Sequence, residues 1–362
     1  MPDAQDARRD RKSQEWENKM AEQIRYLKEQ EKCSTRQMYE TIFPEDSQAF
    51  VDYYYQWKTK DNDIIVMEDK EGYEVMLHLN PFFIQINENK ETIPYIVAVA
   101  TRPDCRRQGK MQQLMVQTLR DLQQKHCPFT FLLPANPDYY KGQGFVFSQL
   151  NKQGTIISQE EKNTKPYIDN CVSIKKLDKQ QIDQMIENVN TILTEKYQMF
   201  VWRDISYYKR LLAEMESEQG DVVVLEKAGK TVGVLAYGRG ERAEIKEAIL
   251  LESLEKSKTE ICNEIFGGDR WTEEEMQFMF RITDLQSWTG KLKGEEEVWE
   301  LEVSDAFLPE NCGSWRIKWN LTGGNVKKLS KFQNIQEKRS VDIAELTEKI
   351  LEKMSIFIRE WV

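Results

Sequence analysis

Arg106, Arg107, Gly109 and Lys110 stand where an apolar run (residues 95–101) gives way to an amphipathic one (residues 111–122). These residue types at such a junction can bind an anion. A helix start leaves its first N–H groups without partners and carries the positive end of the helix dipole, and arginines beside it add charge. Gly109 lacks a Cβ, so a diphosphate can approach the main chain closely. Downstream the reading is helical, because Met111, Leu114, Met115, Thr118, Leu119 and Leu122 fall on one stripe at helical period. Upstream, Ile96, Val97 and Val99 form a short β-branched run, as in a strand covered on both faces. Pro103 separates the two by biasing Arg102 toward extended geometry. Taken alone, the loop also reads as an ordinary solvated connection, since a single Arg-x-x-Gly is weakly specific. A local reversal of sign weights it as an anion site: Arg102, Arg106, Arg107 and Lys110 face only Asp104, in a chain of net charge −10.

The rest of the chain must position this junction. At 362 residues it is long enough for two or three domains, and 40% hydrophobic content supplies their cores. The acidic balance argues against a nucleic-acid partner. No apolar stretch approaches the roughly 20 residues of a membrane span, and the N-terminus lacks a signal-peptide core. Six scattered cysteines without Cys-x-x-Cys spacing read as reduced thiols, which together imply a cytoplasmic protein. With only His78 and His126, a His-rich metal site is excluded and a His-centred triad is disfavoured, so no metal is expected.

Residues 1–34, dense in charge with a few apolar positions, read as a surface helix or arm. Residues 35–150 alternate: helix over 37–58, strands near 64–68, 73–79 and 82–86, the strand–loop–helix junction, and a strand over 129–133. Residues 151–278 repeat part of that plan, two helical patterns before a hairpin, but without an Arg-x-x-Gly loop. There Gly238-Arg239-Gly240 precedes Glu241, Glu244 and Glu247, a poor setting for phosphate, so this segment reads as scaffold. Residues 279–362 add a helix from Thr283 to about Leu292, several strands, a helix capped by Ser340 or Asp342, and an apolar end expected to be docked.

Four blocks then carry a resemblance. They are Val99-Ala100-Thr101 with Arg106-Arg107-Gln108-Gly109; Phe131-Leu132-Leu133-Pro134-Ala135-Asn136 followed by Tyr140 and Gly144-Phe145; Met279-Phe280-Arg281-Ile282-Thr283-Asp284; and the hydrophobic C-terminal end. The first resembles motif A of the GNAT acyltransferase superfamily, the loop that holds acetyl-CoA. In this order the four resemble the three-domain Eis-type acetyltransferases. The resemblance implies a mixed α+β and α/β fold: a catalytic GNAT domain over 35–150, a degenerate GNAT-like domain over 151–278, and a domain like sterol carrier protein 2 over 279–362. It implies that Val99, Ala100 and Thr101 bind the pantetheine arm and acetyl carbonyl. The pyrophosphate would sit on Arg106, Arg107, Gln108, Gly109, Lys110, Met111 and Gln112, with Ala135 and Asn136 further along the cofactor. Tyr140 would be the general acid and the α-carboxylate of Val362 the general base. The acceptor would be a cationic primary amine (polyamine, aminoglycoside-like or lysine) and the assembly a homo-hexamer. Met111, where a small residue is usual, and Gln143, where an aromatic is common, depart from the pattern. So do the first 34 residues, which have no counterpart in it.

The chemistry is sound at the level of residue types. A phenol with pKa near 10 can protonate a departing thiolate near 8.5. A terminal carboxylate of pKa about 3.5 is a weak base unless Trp361 and Phe357 desolvate it. Glu360 is its rival and would also draw a cation. Backbone N–H groups near residues 99–101 suit a tetrahedral oxyanion. Trp57, Phe82 and Phe83 are candidate walls of an acceptor pocket. The competing class is a non-catalytic protein that binds acyl-CoA or lipid.

Overall fold

The computed structural model describes residues 24–148, 166–239, 243–268, 270–273, 276–330 and 339–360. The first part of the chain runs β1 (Ile24–Tyr26), α1 (Arg36–Ile42), α2 (Gln48–Trp57), β2 (Asp63–Asp69), β3 (Gly72–Ile86), β4 (Asn89–Thr101), α3 (Lys110–Gln124), β5 (Phe129–Leu132), α4 (Asp138–Lys141) and β6 (Val146–Phe147). Period-two alternation divides the sheet's side chains between two cores. Ile65, Met67, Leu77 and Leu79 pack with the α3 stripe of Leu114, Met115, Leu119 and Leu122. Ile64, Val66, Met76, Ala98 and Ala100 face Val51, Tyr54 and Tyr55 of α2. Ser47 caps α2 by accepting the Phe50 N–H at 3.1 Å.

The middle of the chain runs β7 (Asn170–Ser173), α5 (Lys179–Lys196), β8 (Met199–Val201), α6 (Ile205–Ser217), β9 (Asp221–Lys227), β10 (Lys230–Arg239), β11 (Ala243–Leu250), α7 (Glu252–Glu255), α8 (Lys258–Phe266) and β12 (Trp271–Glu273). Its sheet has the order β12-β11-β10-β9-β7. The order helix, helix, then a three-stranded antiparallel meander occurs in both parts. The last part holds β13 (Met279–Ile282), β14 (Glu297–Ser304), β15 (Gly313–Asn320), β16 (Gly323–Lys328), β17 (Arg339–Asp342), α9 (Ile343–Leu351) and β18 (Ile356–Phe357). A four-stranded sheet, β16-β15-β14-β17, packs with α9, which Asp342 caps at the Glu345 N–H, 2.8 Å.

These parts interleave. β13 is inserted between β5 and β6 of the first sheet, while β8 joins β3 and β18 pairs parallel with β8. The Met279-to-Asp284 block is what fastens them. Arg281 is fully buried, donating to the Gln143 carbonyl at 2.8 Å and pairing with Asp305 at 2.7 Å. Asp284 holds His126 at 2.9 Å. The other histidine, His78, is buried against the Tyr54 hydroxyl at 2.9 Å, and burial pushes its pKa down to about 3. All six cysteines are free thiols. Among the described residues no helix is long and apolar enough to cross a membrane.

Several expectations change: the helix expected over 37–58 is two, α1 and α2, and the strands expected near 73–79 and 82–86 are one, β3. The described end of the N-terminal segment begins as a strand, Ile24–Tyr26, which pairs antiparallel with β2 while Arg25 binds Glu68 at 2.6 Å, and turns helical only as a 3-10 helix over Glu29–Thr35. That strand covers a sheet edge that would otherwise expose its peptide groups; residues 1–23 lie outside the described residues. The helix expected after Thr283 is a single 3-10 turn, Gln286–Trp288. Gly290 follows at φ +82°, and the Trp288 indole is tied to the Pro128 carbonyl at 3.1 Å, which ends the turn.

Candidate functional site

The site begins with a strand that leaves its neighbour. β4 pairs parallel with β5 only at Tyr95↔Phe131 and Ile96↔Leu132, where β5 ends. Immediately after, the β3–β4 register slips: His78 faces Val97 and Met76 faces Ala100, so Ala98 and Val99 together oppose Leu77. This is a β-bulge, and Ala98 sits in it at φ +51°. A left-handed alanine costs roughly 1–2 kcal/mol, so the surrounding packing must hold it there. The bulge turns residues 97–101 away from the line of β5. Val97, Val99 and Thr101 are half-buried along this diverging stretch.

At the end of β4 the loop is built from its own side chains. Arg102 pairs with Asp69 and Asp104, each at 2.8 Å, Gln108 donates to the Asp104 carbonyl at 2.8 Å, and Arg106 donates to the Thr101 carbonyl at 3.2 Å. Arg107 at φ +59° and Gly109 at φ +75° are both left-handed. Gly109 is the N-cap of α3, and a Cβ added there would meet nothing nearer than the Gln113 amide, 3.9 Å away. The main chain at the helix start is therefore open, with Arg106, Arg107, Gln108 and Gln112 exposed around it. Arg107 has no hydrogen bond or ion pair among the described residues. Lys110 is not a spare cation, because its ammonium pairs with Glu74 and only its N–H faces the bend.

Met111 and Gln143, two of the departures from the family pattern, touch each other. Gln143 is buried and its amide donates to the Met111 sulfur at 3.8 Å and to the Tyr139 carbonyl at 2.9 Å.

Beyond β5, Ala135 and Asn136 lie exposed, with the Asn136 side chain accepting the Asp138 N–H at 3.0 Å. The single turn of α4 then directs its two tyrosines oppositely: Tyr139 is 62% exposed and Tyr140 is 9% exposed. Tyr140 packs edge-to-face on Phe145, ring centroids 6.0 Å apart. Its hydroxyl has no hydrogen-bond partner among the described residues. Burial pushes the phenol up to about 12, with Tyr139 adding to the shift.

On the α2 face of the sheet lies a cavity of about 260 Å³ that includes Asn80, Phe82, Trp202, Tyr207, Glu247 and Glu360 in its lining. Phe83 lines it too, whereas Trp57 does not and instead stacks under Lys60 at 4.4 Å. Fully buried Arg203 pairs with Glu247 and, at 3.2 Å, with Glu360. The Tyr207 hydroxyl donates to Glu360 at 3.2 Å, and the Tyr53 hydroxyl to Glu214 at 2.7 Å. Burial pushes the Glu360 carboxyl up to about 7, against the opposing pull of Arg203. Tyr95, on the paired stretch just before the bulge, links the two regions. Burial pushes its phenol up, and Glu360, Tyr140 and Glu214 all act on it electrostatically. Val362 lies outside the described residues. Arg203, Tyr207 and Glu247 had no signal in the sequence, because their partners are distant in the chain. The middle segment, expected to be scaffold alone, forms half of this cavity.

Comparison with known proteins fits this geometry. Residues 23–147 match the acetyltransferase (GNAT) domain family, and residues 282–356 match the sterol carrier protein domain family. No curated protein matches the chain. Among solved structures it is similar to a probable N-acyltransferase of unknown function from Enterococcus faecalis, at 16% identity and TM-score 0.68, covering 91% of this chain and 89% of that one. A GCN5-related N-acetyltransferase from Anabaena variabilis matches at 14% identity and TM-score 0.64, covering 92% and 94%. Eis1 from Mycobacterium abscessus matches at 10% identity and TM-score 0.60, covering 91% and 89%. The chain therefore has a mixed α+β fold with a GNAT acetyltransferase domain and a C-terminal sterol-carrier-like domain.

Proposed function

We propose that this chain is an acetyl-CoA-dependent N-acetyltransferase of Eis-like design, acting on a primary amine by direct attack in a ternary complex. One observation carries the reading: β4 parts from β5 after Ile96 and leads through a bulge to an open, left-handed glycine at the start of α3. In this reading Arg106, Arg107 and the N–H groups of residues 109–112 hold the pyrophosphate. The edge of Val99, Ala100 and Thr101 hydrogen-bonds the pantetheine arm, and Ala135 and Asn136 border it. N–H groups at the bulge stabilise the tetrahedral oxyanion. Tyr140 gives its proton to the departing sulfur. The C-terminal segment supplies the base, with Glu360 and the Val362 carboxylate as the two candidates.

The acceptor is a cationic amine (polyamine, aminoglycoside-like or lysine) that enters the cavity walled by Phe82, Phe83 and Trp202. Residues 35–150 are then the catalytic domain, 151–278 a degenerate copy without a phosphate loop, and 279–362 the sterol-carrier-like domain. A homo-hexamer in the cytoplasm completes the proposal. The test is thiol release from acetyl-CoA with a panel of amines. Release with at least one amine, and its loss on adding none, is the expected result. Tight coenzyme A binding with no thiol release from any amine contradicts the proposal and favours a non-catalytic acyl-CoA-binding protein.

A further inference from the structure

We infer that Glu360 is the group that takes the proton from the incoming amine, and that the middle segment holds it in place. This rests on the acetyltransferase reading and names one of its residues. β18 runs parallel to β8 through Ile356↔Met199 and Phe357↔Phe200, which leads the chain toward the cavity. Arg359 is tied to Glu273 at 2.8 Å, and Glu360 follows, 6% exposed, among the lining residues. Its carboxylate accepts from Arg203 and from Tyr207. Arg203 cannot drift. Its side chain donates to the Val201 carbonyl at 2.6 Å, and its own main chain is bonded on both sides by the Asn190 amide, at 3.1 and 2.6 Å.

The cavity has unmet polar demands. Glu247 Oε1 and Asn80 Nδ2 are buried without partners, one an acceptor and one a donor. A ligand that brings N–H groups into the cavity satisfies the first. The charges facing Glu360 come from every packed element: Arg203 after β8, Tyr207 and Glu214 on α6, Glu247 on β11, and Lys58 after α2. Glu214 is already engaged by Tyr53, and Lys58 lies 3.7 Å from it. Glu247 is engaged by Arg203. Glu360 shares both that arginine and the Tyr207 phenol with Glu247, but its contact with Arg203 is the longer of the two, so it is the carboxylate held less tightly in its charged form. Tyr95, on β4 just before the bulge, is under the electrostatic influence of both Glu360 and Tyr140.

The step balances as follows. The ammonium gives one proton to Glu360, freeing a nitrogen lone pair. The nitrogen attacks the thioester carbon, the C–N bond forms, and the C–S bond breaks as Tyr140 protonates sulfur. The adduct's second nitrogen proton restores Tyr140, and Glu360 releases its proton to solvent. A base raised to about 7 works only when ionised, so the rate falls as pH drops through that value.

The experiment uses the full chain and compares wild type, Glu360→Gln and Glu360→Asp over pH. Acetyl transfer by wild type is measured first, and its absence refutes the acetyltransferase reading itself. Expected for Glu360→Gln is a fall in kcat of about 10²–10⁴-fold, the KM for acetyl-CoA within roughly twofold, and loss of the acidic limb near neutrality. Glu360→Asp restores part of the rate together with a limb, which a merely structural role would not do. Circular dichroism checks that both variants fold, and the aspartate variant decides the matter if the glutamine variant does not. Glu360→Gln with the wild-type rate and limb overturns the assignment. So does a one-residue extension after Val362 that abolishes transfer while Glu360→Gln remains fully active, which gives the role to the chain terminus.

Discussion

A general acid must hold its proton at working pH and stand where a leaving sulfur can reach it. Tyr140 meets the first demand through burial, which pushes its phenol up to about 12 and keeps it protonated well past neutrality. On the account above, Tyr140→Phe lowers kcat by about 10²–10⁴-fold while the KM for acetyl-CoA changes little, as steady-state thiol release would show. Wild type should keep its rate into mildly alkaline solution. Gly109 makes a different demand, for backbone shape. Its φ of +75° makes any side chain strained by roughly 1–2 kcal/mol, and a Cβ would narrow the anion's approach even though it strikes no atom. Gly109→Val should weaken coenzyme A binding by calorimetry more than it lowers the melting temperature of the unliganded protein. Both are candidates on local grounds: a glycine between arginines and a stripe, a tyrosine just past a strand. The engagement of Lys110 by Glu74 was not legible in the sequence, because the two are 36 positions apart.

At the scale of elements, the bulge in β4 lies where that strand parts from its neighbour. β4 pairs with β5 no further than Ile96, opposite the last residue of β5, and the bulge at Ala98 against β3 follows at once. Ala98→Gly relieves the left-handed strain, so stability should stay within about 1 kcal/mol of wild type and transfer should persist. Ala98→Ile places a β-branched, larger side chain in the same conformation and in a buried site. It should cost more than about 2 kcal/mol by urea unfolding and reduce transfer in parallel. The strand itself was readable from Ile96, Val97 and Val99. Nothing in that run announces the bulge, because alanine carries no preference for the left-handed region and only its packing imposes it. The N-terminal strand was missed for a related reason: three residues pairing with a sheet edge lack the length to show a period.

The whole molecule is interleaved, and that shapes what the sequence could reveal. The repeated order of two helices and an antiparallel meander was visible as local periodicity. The insertion of β13 between β5 and β6 was not, since no pattern in a strand names its neighbours. Arg281 carries this join. Removing it leaves Asp305 as a buried, uncompensated carboxylate, so Arg281→Ala should cost about 3–5 kcal/mol by thermal or urea unfolding. Replacing Arg281 and Asp305 together with apolar residues should not recover that loss, because Asp305 also accepts from the Phe307 and Leu308 N–H groups and the Asn311 amide, which would be left without that acceptor. The cavity is a property of the assembled chain in the same sense, with one wall from the first sheet, one from the middle segment and Glu360 from the end.

The most direct test of the central claim follows a labelled acetyl group. Full-length protein is incubated with coenzyme A carrying a ¹³C-labelled acetyl thioester and a set of primary amines, and products are read by mass spectrometry. The account predicts label on the amine nitrogen, with Tyr140→Phe giving far less product in the same time. Label retained entirely in the thioester, or product formed equally well without Tyr140, would contradict it.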